Sequence, residues 1–139
     1  MTLDIGSVLN NRYRIVSILG MGGMGAVYQA VDENLCIPVA VKENLFLTNE
    51  DARQFQKEAN ILASLRHPSL PRVGDYFSIA NQGQYLVMDY IDGEDLRQRI
   101  ERLGVLPDND VAIIGAAMCD ALSYLHSRPL PIIHRDIKP

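Results

Sequence analysis

A glycine cluster between two strand-like patterns near the N-terminus constrains the fold of this chain more than any other feature. The run Tyr13–Leu19 is apolar and β-branched, and residues 25–32 alternate two sets of side chains from one residue to the next. Both patterns are typical of β-strands, and the glycines between them predict a hairpin loop. The sequence therefore opens on an antiparallel pair of strands.

The rest of the chain changes from strand patterns to helix patterns. We predict a third strand at residues 37–45, a helix from Thr48 to the His67–Pro68 pair, and strands at Val73–Ile79 and Gln84–Tyr90. Two helices follow, in "DGEDLRQRIERLG" and in "PDNDVAIIGAAMCDALSYLHS". Thr48 resembles the start of a capping box, and Asp108 is the expected cap of the last helix.

This order of elements predicts an α+β fold. We expect a five-stranded antiparallel sheet with one packed helix, followed by the start of a mostly helical lobe. The predicted divisions are an N-terminal extension at residues 1–12, a sheet lobe at 13–91 and a helical lobe at 92–139. The boundary falls near Asp92–Gly93, where the strand pattern gives way to a helix pattern.

Composition excludes several classes of partner. The net charge of -4 argues against a general nucleic-acid surface and against a polybasic membrane patch. Cys36 and Cys119 lie far apart, outside any metal-binding or redox spacing, so we expect two buried, reduced thiols and a cytoplasmic location. The sequence shows neither a signal peptide nor a membrane-spanning segment, although the parent protein could carry a membrane anchor downstream.

Three of the glycines, Gly20, Gly22 and Gly25, form a G-x-G-x-x-G pattern. Dinucleotide-binding loops share this spacing, but their glycines open a helix, whereas a strand follows here. Without Cβ atoms, the loop backbone can approach phosphate oxygens closely. A plain flexible hairpin turn remains an open alternative for this segment.

A lysine on the third predicted strand is the second candidate. Strand alternation places Lys42 on the same face as Ala40, and Ala40 with Val27 could form a flat apolar surface for a purine ring. Lys42 would then lie one step deeper, where phosphates would be. The alternative is an ordinary lysine that points into solvent.

Glu58 is the third candidate, because it falls within the apolar stripe of the first helix, which includes Phe55, Leu62 and Leu65. A buried carboxylate needs a partner, since burying an unpaired charge is costly. Lys42 is the natural partner. Alternatively, Glu58 lies at the margin of the stripe.

The fourth candidate is the C-terminal string "HRDIKP", His134 to Pro139. Asp136 follows an apolar pair, so its carboxylate should emerge at the edge of a core and could accept a hydroxyl proton. Lys138 could supply positive charge to a group in transfer. Each of these could instead be a solvated loop charge. His67 and His126 are interpreted as helix-end or surface histidines.

Together, "LGMGGMGAVYQA", "VAVK", the helix glutamate, "YLVMDYIDGEDL" and "HRDIKP" resemble a protein kinase in their order and approximate spacing. The lysine of "HRDIKP" and the form of the glycine loop are most similar to bacterial eukaryotic-like serine/threonine kinases. The resemblance covers the whole chain, and the chain covers about half of the family's domain.

The resemblance implies a role for each matched position. Lys42 would hold the α and β phosphates of ATP and pair with Glu58, Asp136 would be the catalytic base, Lys138 would assist it, and Arg135 would await an activation-loop phosphate. Leu62 and His134 would be layers of a stacked apolar spine. The resemblance implies that Met88 would be the gatekeeper behind the adenine, that Asp89 and Ile91 would bind the adenine edge through their backbone, and that Asp95 would reach the ribose. The other implied nucleotide-binding residues are Leu19, Gly20, Met21, Gly22, Gly23, Met24, Gly25, Ala26, Val27, Ala40 and Lys42.

The resemblance also implies ATP and Mg²⁺ as cofactors and a protein with a serine or threonine acceptor as substrate. The family's metal-binding asparagine and Asp-Phe-Gly segment would come after Pro139. We therefore expect no metal ligand in the chain and a fragment that is inactive alone. The alternative is a free-standing module that binds a nucleotide or a partner without catalysis. A scaffold that has lost the chemistry is disfavoured, because Lys42, Glu58 and Asp136 are present.

Overall fold

The structure is a computed structural model that describes residues 3–23, 25–45 and 48–139. These residues form two compact units. The first runs up to Arg66 and includes Pro71–Ile91, and the second comprises His67–Leu70 and Asp92–Pro139.

The first unit is built on an antiparallel sheet in which six strands are described. Its elements are β1 (Val8–Leu9), β2 (Tyr13–Gly22), β3 (Gly25–Asp32), β4 (Ile37–Asn44), α1 (Asn49–Ala63), β5 (Val73–Ile79) and β6 (Gly83–Asp89). The strand order is β1-β2-β3-β4-β6-β5. The predicted α+β class is confirmed.

The predicted number of five strands is wrong by one. The additional strand is β1, which lies within residues 1–12 and pairs with β2. Two residues are too few to show an alternating pattern in the sequence. The turn that returns β1 to β2 is formed by Asn10 and Asn11, both at a φ of 52°, in the left-handed region that asparagine tolerates.

The two faces of the sheet carry different cores. On the face that packs against α1, a small cluster contains Phe55, Ala59 and Leu86, with Leu62, Val73, Tyr76 and Met88 at its border. The opposite side is called the reverse face below. Its buried residues are Leu9, Tyr13, Ile15, Ala26, Tyr28, Ala30, Val39, Val41, Tyr85 and Val87.

Side chains join strands that are not neighbours in the sheet. The Tyr13 ring of β2 stacks on Phe77 of β5 with centroids 5.9 Å apart, and the Tyr13 hydroxyl donates to Asp75 at 2.6 Å. Strand β2 stands second in the sheet order and β5 stands last, so these contacts show that the sheet is strongly curled around its reverse face.

Helix α1 begins as predicted and ends earlier than predicted. Thr48 is its N-cap and accepts the Asp51 N–H at 3.1 Å, while the Thr48 hydroxyl donates to the Asp51 carboxylate at 2.8 Å. The helix ends at Ala63, before the His67–Pro68 pair. Ser64 caps it, because its hydroxyl donates to the Ile61 carbonyl at 2.7 Å and tightens the last turn.

The second unit contains α2 (Leu96–Leu103) and α3 (Asp108–His126). Asp95 caps α2 in a reciprocal capping box with Gln98, and Gly104 ends the helix at a φ of 79°. Asp108 was predicted as the cap of α3 but is its first helical residue, and Pro107 occupies the cap position without a side-chain hydrogen bond. A carboxylate in the first turn still favours the helix through its dipole.

The prediction of two buried thiols is wrong, because Cys36 and Cys119 are both exposed.

The prediction for His67 is also wrong. Its side chain is only 8% exposed, its Nε2 lies 2.9 Å from the Asp120 carboxylate, and its ring packs on Tyr124. His67 therefore attaches the short segment 67–70 to α3, an association between distant parts of the chain that the local sequence pattern does not show.

The apolar stripe of α3 is only partly covered by the described residues. Leu125 is buried, Ile114, Met118 and Leu122 are half-buried, and Val111 is 53% exposed. The stripe lines a cavity of about 410 Å³ within the second unit, together with His134, Asp136, Ile137 and Lys138.

Candidate nucleotide-binding site

The glycine segment forms the end of the β2–β3 hairpin, as the sequence predicts. Gly22 pairs with Gly25 across the hairpin. Gly25 has a φ of 146°, and a Cβ atom added there would lie 2.2 Å from the Glu43 carbonyl oxygen. Glycine is therefore required at this position by both conformation and space. Met24, also assigned to the nucleotide loop, lies outside the described residues.

A cavity of about 530 Å³ opens beside this hairpin. Its volume is within the range of small-molecule sites, roughly 300–1,000 Å³. The described residues that line it are Gly20, Met21, Gly22, Gly23, Gly25, Ala26, Val27, Lys42, Glu43, Asn44, Phe55 and Glu58. The hairpin, the candidate lysine and the candidate helix glutamate thus border one space within the first unit.

Lys42 and Glu58 form an ion pair in this cavity. The Lys42 Nζ lies 3.2 Å from the Glu58 Oε1, and the Lys42 ammonium is 5.8 Å from the centre of the Phe55 ring. The pair is solvent-accessible, with side chains 40% and 44% exposed. A pair of this exposure adds little to stability, typically about 0–1 kcal/mol, and it holds the Lys42 ammonium toward α1.

Burial does not explain why Glu58 pairs with Lys42. Burial within the apolar stripe was the reason for expecting a partner, but Glu58 lies at the margin of the stripe and is half-exposed. The buried helix residues are Phe55 and Ala59. Glu58 instead faces the cavity that Lys42 also lines, and direct charge attraction accounts for the contact.

The strand register also changes one expected contact. Val27 lies directly opposite Lys42, and Ala40 lies opposite Gln29, so Val27 and Ala40 are diagonal neighbours on one face. Ala40 is only 7% exposed. The flat apolar surface proposed for a purine ring is therefore offset along the strands. Leu19, which is 47% exposed, and Ala40 are not among the described residues that line the cavity.

The residues assigned to the adenine edge lie at the end of β6. Met88 pairs with Ala40 and packs on the cluster beneath α1. The Asp89 N–H donates to the Arg72 carbonyl at 2.9 Å, so a ligand hydrogen bond to the Asp89 backbone must go to its carbonyl. Ile91 is 72% exposed. Met88, Asp89 and Ile91 do not line the cavity among the described residues.

Asp95, Asp136 and Lys138 belong to the second unit. One oxygen of Asp95 accepts the Gln98 N–H at 2.8 Å, which leaves its second oxygen for another donor. The Asp136 carboxylate is 72% exposed and lies 3.4 Å from the Lys138 ammonium. The Asp136 N–H donates to His134 Nδ1 at 3.2 Å, and Arg135 between them has a φ of 67°. This local turn presents an exposed carboxylate beside an ammonium.

A buried polar cluster beside the site was missed by sequence reasoning. The Glu43 carboxylate is 3% exposed and accepts the Tyr28 hydroxyl at 3.1 Å and the Tyr85 hydroxyl at 3.4 Å. Burial raises the pKa of Glu43, and burial together with the nearby Glu43 charge raises the pKa of Tyr85 to about 12. A signal existed: Glu43 continues the alternation of the buried Val39 and Val41, which places a carboxylate in a core row.

Comparison with known proteins shows which family the chain belongs to. The model of the protein kinase domain matches residues 13–139. The chain belongs to the protein kinase family. It is 38% identical over 138 residues to a probable serine/threonine-protein kinase of Clostridium perfringens, covering 97% of this chain and 20% of that protein. It is 39% identical over 140 residues to the serine/threonine-protein kinase PknB of Mycobacterium leprae, covering 94% of this chain and 22% of that one.

Solved kinase structures share the architecture. The crystal structure of the Mycobacterium tuberculosis PknI kinase domain matches with a TM-score of 0.78 at 32% identity, covering 99% of this chain and 56% of that chain. The chain thus spans about half of that kinase domain and about a fifth of the curated relatives. The kinase-like fold expected from the resemblance is confirmed.

The described part of this kinase chain contains no group of three or more His, Cys, Asp or Glu residues suited to a metal ion. Among the same residues, no helix is long and apolar enough to cross a membrane.

Proposed function

We propose that this chain is the nucleotide-binding part of an ATP-dependent kinase that phosphorylates serine or threonine hydroxyls of proteins. The observation that carries the proposal is the cavity in which a glycine hairpin meets the Lys42–Glu58 ion pair at 3.2 Å. Backbone N–H groups without neighbouring Cβ atoms and an oriented ammonium are suited to a triphosphate. The two relatives described above, both named serine/threonine-protein kinases, support the acceptor class.

In this proposal, the phosphate-binding and catalytic roles are divided among a few residues. Lys42 binds phosphate oxygens, with its ammonium oriented by Glu58. The glycine hairpin, residues 19–27, covers the phosphates. Asp136 accepts the proton of the attacking hydroxyl, and Lys138 stabilises negative charge on the transferred group. Magnesium, when bound by the complete catalytic domain, supplies charge neutralisation.

The adenine and ribose contacts are part of the same proposal. Ala40 and Val27 contact the base, Met88 limits the depth of the adenine site, and the Asp89 carbonyl with the Ile91 backbone binds the adenine edge. Asp95 binds the ribose. Residues 13–91 are proposed as the nucleotide-binding lobe and residues 92–139 as the start of the substrate lobe. A cytoplasmic location follows from the use of ATP.

The proposal is tested by calorimetric titration of the chain with MgATP. Lys42→Met should weaken binding about tenfold or more, because a charge-assisted phosphate contact is lost. Lys57→Met is the matched control, since Lys57 is exposed on α1 next to Glu58 and does not line the cavity. Equal affinities for Lys42→Met and the unsubstituted chain would contradict the phosphate assignment, and a chain that binds no MgATP would contradict the proposed function.

A further inference from the structure

The reverse face of β4 carries a buried carboxylate directly behind the phosphate-binding lysine. Glu43 follows Lys42 in the chain, so their side chains project to opposite faces of the sheet. Tyr28 and Tyr85, which donate to Glu43, are both 0% exposed. This arrangement leaves the carboxylate bonded to two hydroxyls and shielded from water.

The cluster spans three adjacent strands. Tyr28 lies on β3, Glu43 on β4 and Tyr85 on β6, and Glu43 pairs directly with Tyr85 across the β4–β6 ladder. The Leu3 N–H donates to the Tyr28 hydroxyl oxygen at 2.9 Å, and the hydroxyl itself donates its proton to Glu43. Residues Tyr28, Glu43 and Tyr85 are called the tyrosine–glutamate cluster below.

The same segment of β4 supports both phosphate-binding elements. Gly25, the last glycine of the hairpin, is in such close contact with the Glu43 carbonyl that a Cβ atom would lie 2.2 Å from its oxygen. Lys42 is joined to Glu43 by the peptide bond on the N-terminal side of Glu43. Any shift of Glu43 along or across the strand therefore moves the ammonium and the base of the hairpin together.

If packing alone determined the residue at position 43, a carboxylate would be unfavourable there. The buried residues in the same row of β4 are Val39 and Val41. Burying the Glu43 charge costs free energy that a buried valine would not cost. Hydrogen bonds from the two tyrosines offset part of this cost, and only when the hydroxyls and the carboxylate are correctly aligned. Hydrogen bonds are directional, whereas an apolar contact tolerates small slips of one strand past another.

We propose that Glu43 is a positioning residue for nucleotide binding, held by Tyr28 and Tyr85 so that Lys42 and the glycine hairpin keep a fixed relative position. The inference rests on the proposed function, since it assigns a support to the same ATP site. Glu43 borders the nucleotide cavity, but its carboxylate is bonded to two tyrosines of the reverse face, so the carboxylate acts on nucleotide binding through Lys42 and Gly25.

The experiment compares tyrosine-to-phenylalanine variants of the 139-residue chain. Tyr28→Phe and Tyr85→Phe each remove one hydrogen bond to Glu43. Tyr13→Phe is the matched control, because Tyr13 is 1% exposed on the same reverse face and its hydroxyl donates to a different carboxylate, Asp75, at 2.6 Å. All three variants lose a tyrosine–carboxylate hydrogen bond, which is buried in the cluster and part-buried at Asp75, and only two of those bonds belong to the cluster.

Two measurements are made on each variant. The first is the affinity for MgATP, which should fall about three- to tenfold in Tyr28→Phe and Tyr85→Phe and change less than about twofold in Tyr13→Phe. Glu43→Gln, which keeps one acceptor oxygen, should retain more affinity than Glu43→Leu. The second is amide hydrogen exchange without nucleotide, which should speed up at Val27 and Lys42 in the two cluster variants and not in the control.

The outcomes separate this inference from the proposed function. If all three phenylalanine variants lose affinity and exchange protection equally, Glu43 is only a stability element and the inference is wrong. If the unsubstituted chain fails to bind MgATP, the proposed function fails, and the exchange at Val27 and Lys42 still decides whether the cluster positions the hairpin and the lysine.

Discussion

Replacing Gly25 by alanine tests the closest backbone contact in the site. The added Cβ would lie 2.2 Å from the Glu43 carbonyl oxygen and 2.9 Å from its carbon, and both are backbone atoms. A relaxed carbon–oxygen contact is about 3.3–3.6 Å, so one strand must move by about 1 Å. Overpacking of this kind costs about 1–3 kcal/mol.

The backbone conformation adds a second cost. Gly25 has a φ of 146°, outside the regions that residues with a Cβ normally adopt. Holding a non-glycine residue there costs about 1–3 kcal/mol. We therefore expect Gly25→Ala to lower the free energy of unfolding by about 2–6 kcal/mol, a large share of the roughly 5–15 kcal/mol typical of a domain.

Urea denaturation followed by far-ultraviolet circular dichroism measures this loss in a chain that has no tryptophan. Gly20→Ala is the matched control, because a Cβ there meets nothing within 4 Å and the φ is not in the left-handed region. Its effect should stay within about 1 kcal/mol. Equal unfolding free energies for the two variants would refute the close contact at Gly25.

Two further predictions concern pH. Burial raises the pKa of Glu43 above its ordinary value of 4.5, so ionisation of Glu43 opposes folding. The free energy of unfolding should therefore fall as pH rises from 4.5 through the folded-state pKa of Glu43. Urea midpoints measured across that pH range should show this slope in the unsubstituted chain and not in Glu43→Gln. Hydrogen bonds from Arg12 lower the pKa of Asp32 below its ordinary value of 3.8. The ionised Asp32 therefore contributes its full stabilisation of the folded state above pH 3.8, and this contribution is lost as pH falls through the folded-state pKa. Asp32→Asn should therefore be destabilised at neutral pH and approach the unsubstituted chain in acid, and a gap that is constant with pH would contradict the Arg12–Asp32 pairing.

Local patterns predicted most elements of the fold. Strand β3, at Gly25–Asp32, and strand β5, at Val73–Ile79, lie where alternation and turn residues placed them. The glycine hairpin and the Lys42–Glu58 pair also followed from the sequence, since each depends on a short motif or on charges of opposite sign. The hairpin is encoded within a few residues, whereas the ion pair joins side chains 16 residues apart and was expected for a reason, burial of Glu58, that the structure does not bear out.

The remaining features depend on contacts between distant segments. Strand β1 exists because Leu9 adds to the core of the reverse face, and two residues give no periodic signal. The register that places Val27 opposite Lys42 is set by whole-strand pairing. The burial of His67 requires α3, and the tyrosine–glutamate cluster requires three strands. Sequence spacing alone cannot report which distant side chains meet.

The strand order has a consequence for synthesis on the ribosome. Strand β5 is made before β6, yet β6 is the strand that joins β5 to the rest of the sheet. Residues 73–79 therefore leave the exit tunnel without a ladder partner. A nascent chain released or stalled before Asp89 would expose an unpaired strand, the kind of segment that chaperones bind and that neighbouring chains can capture.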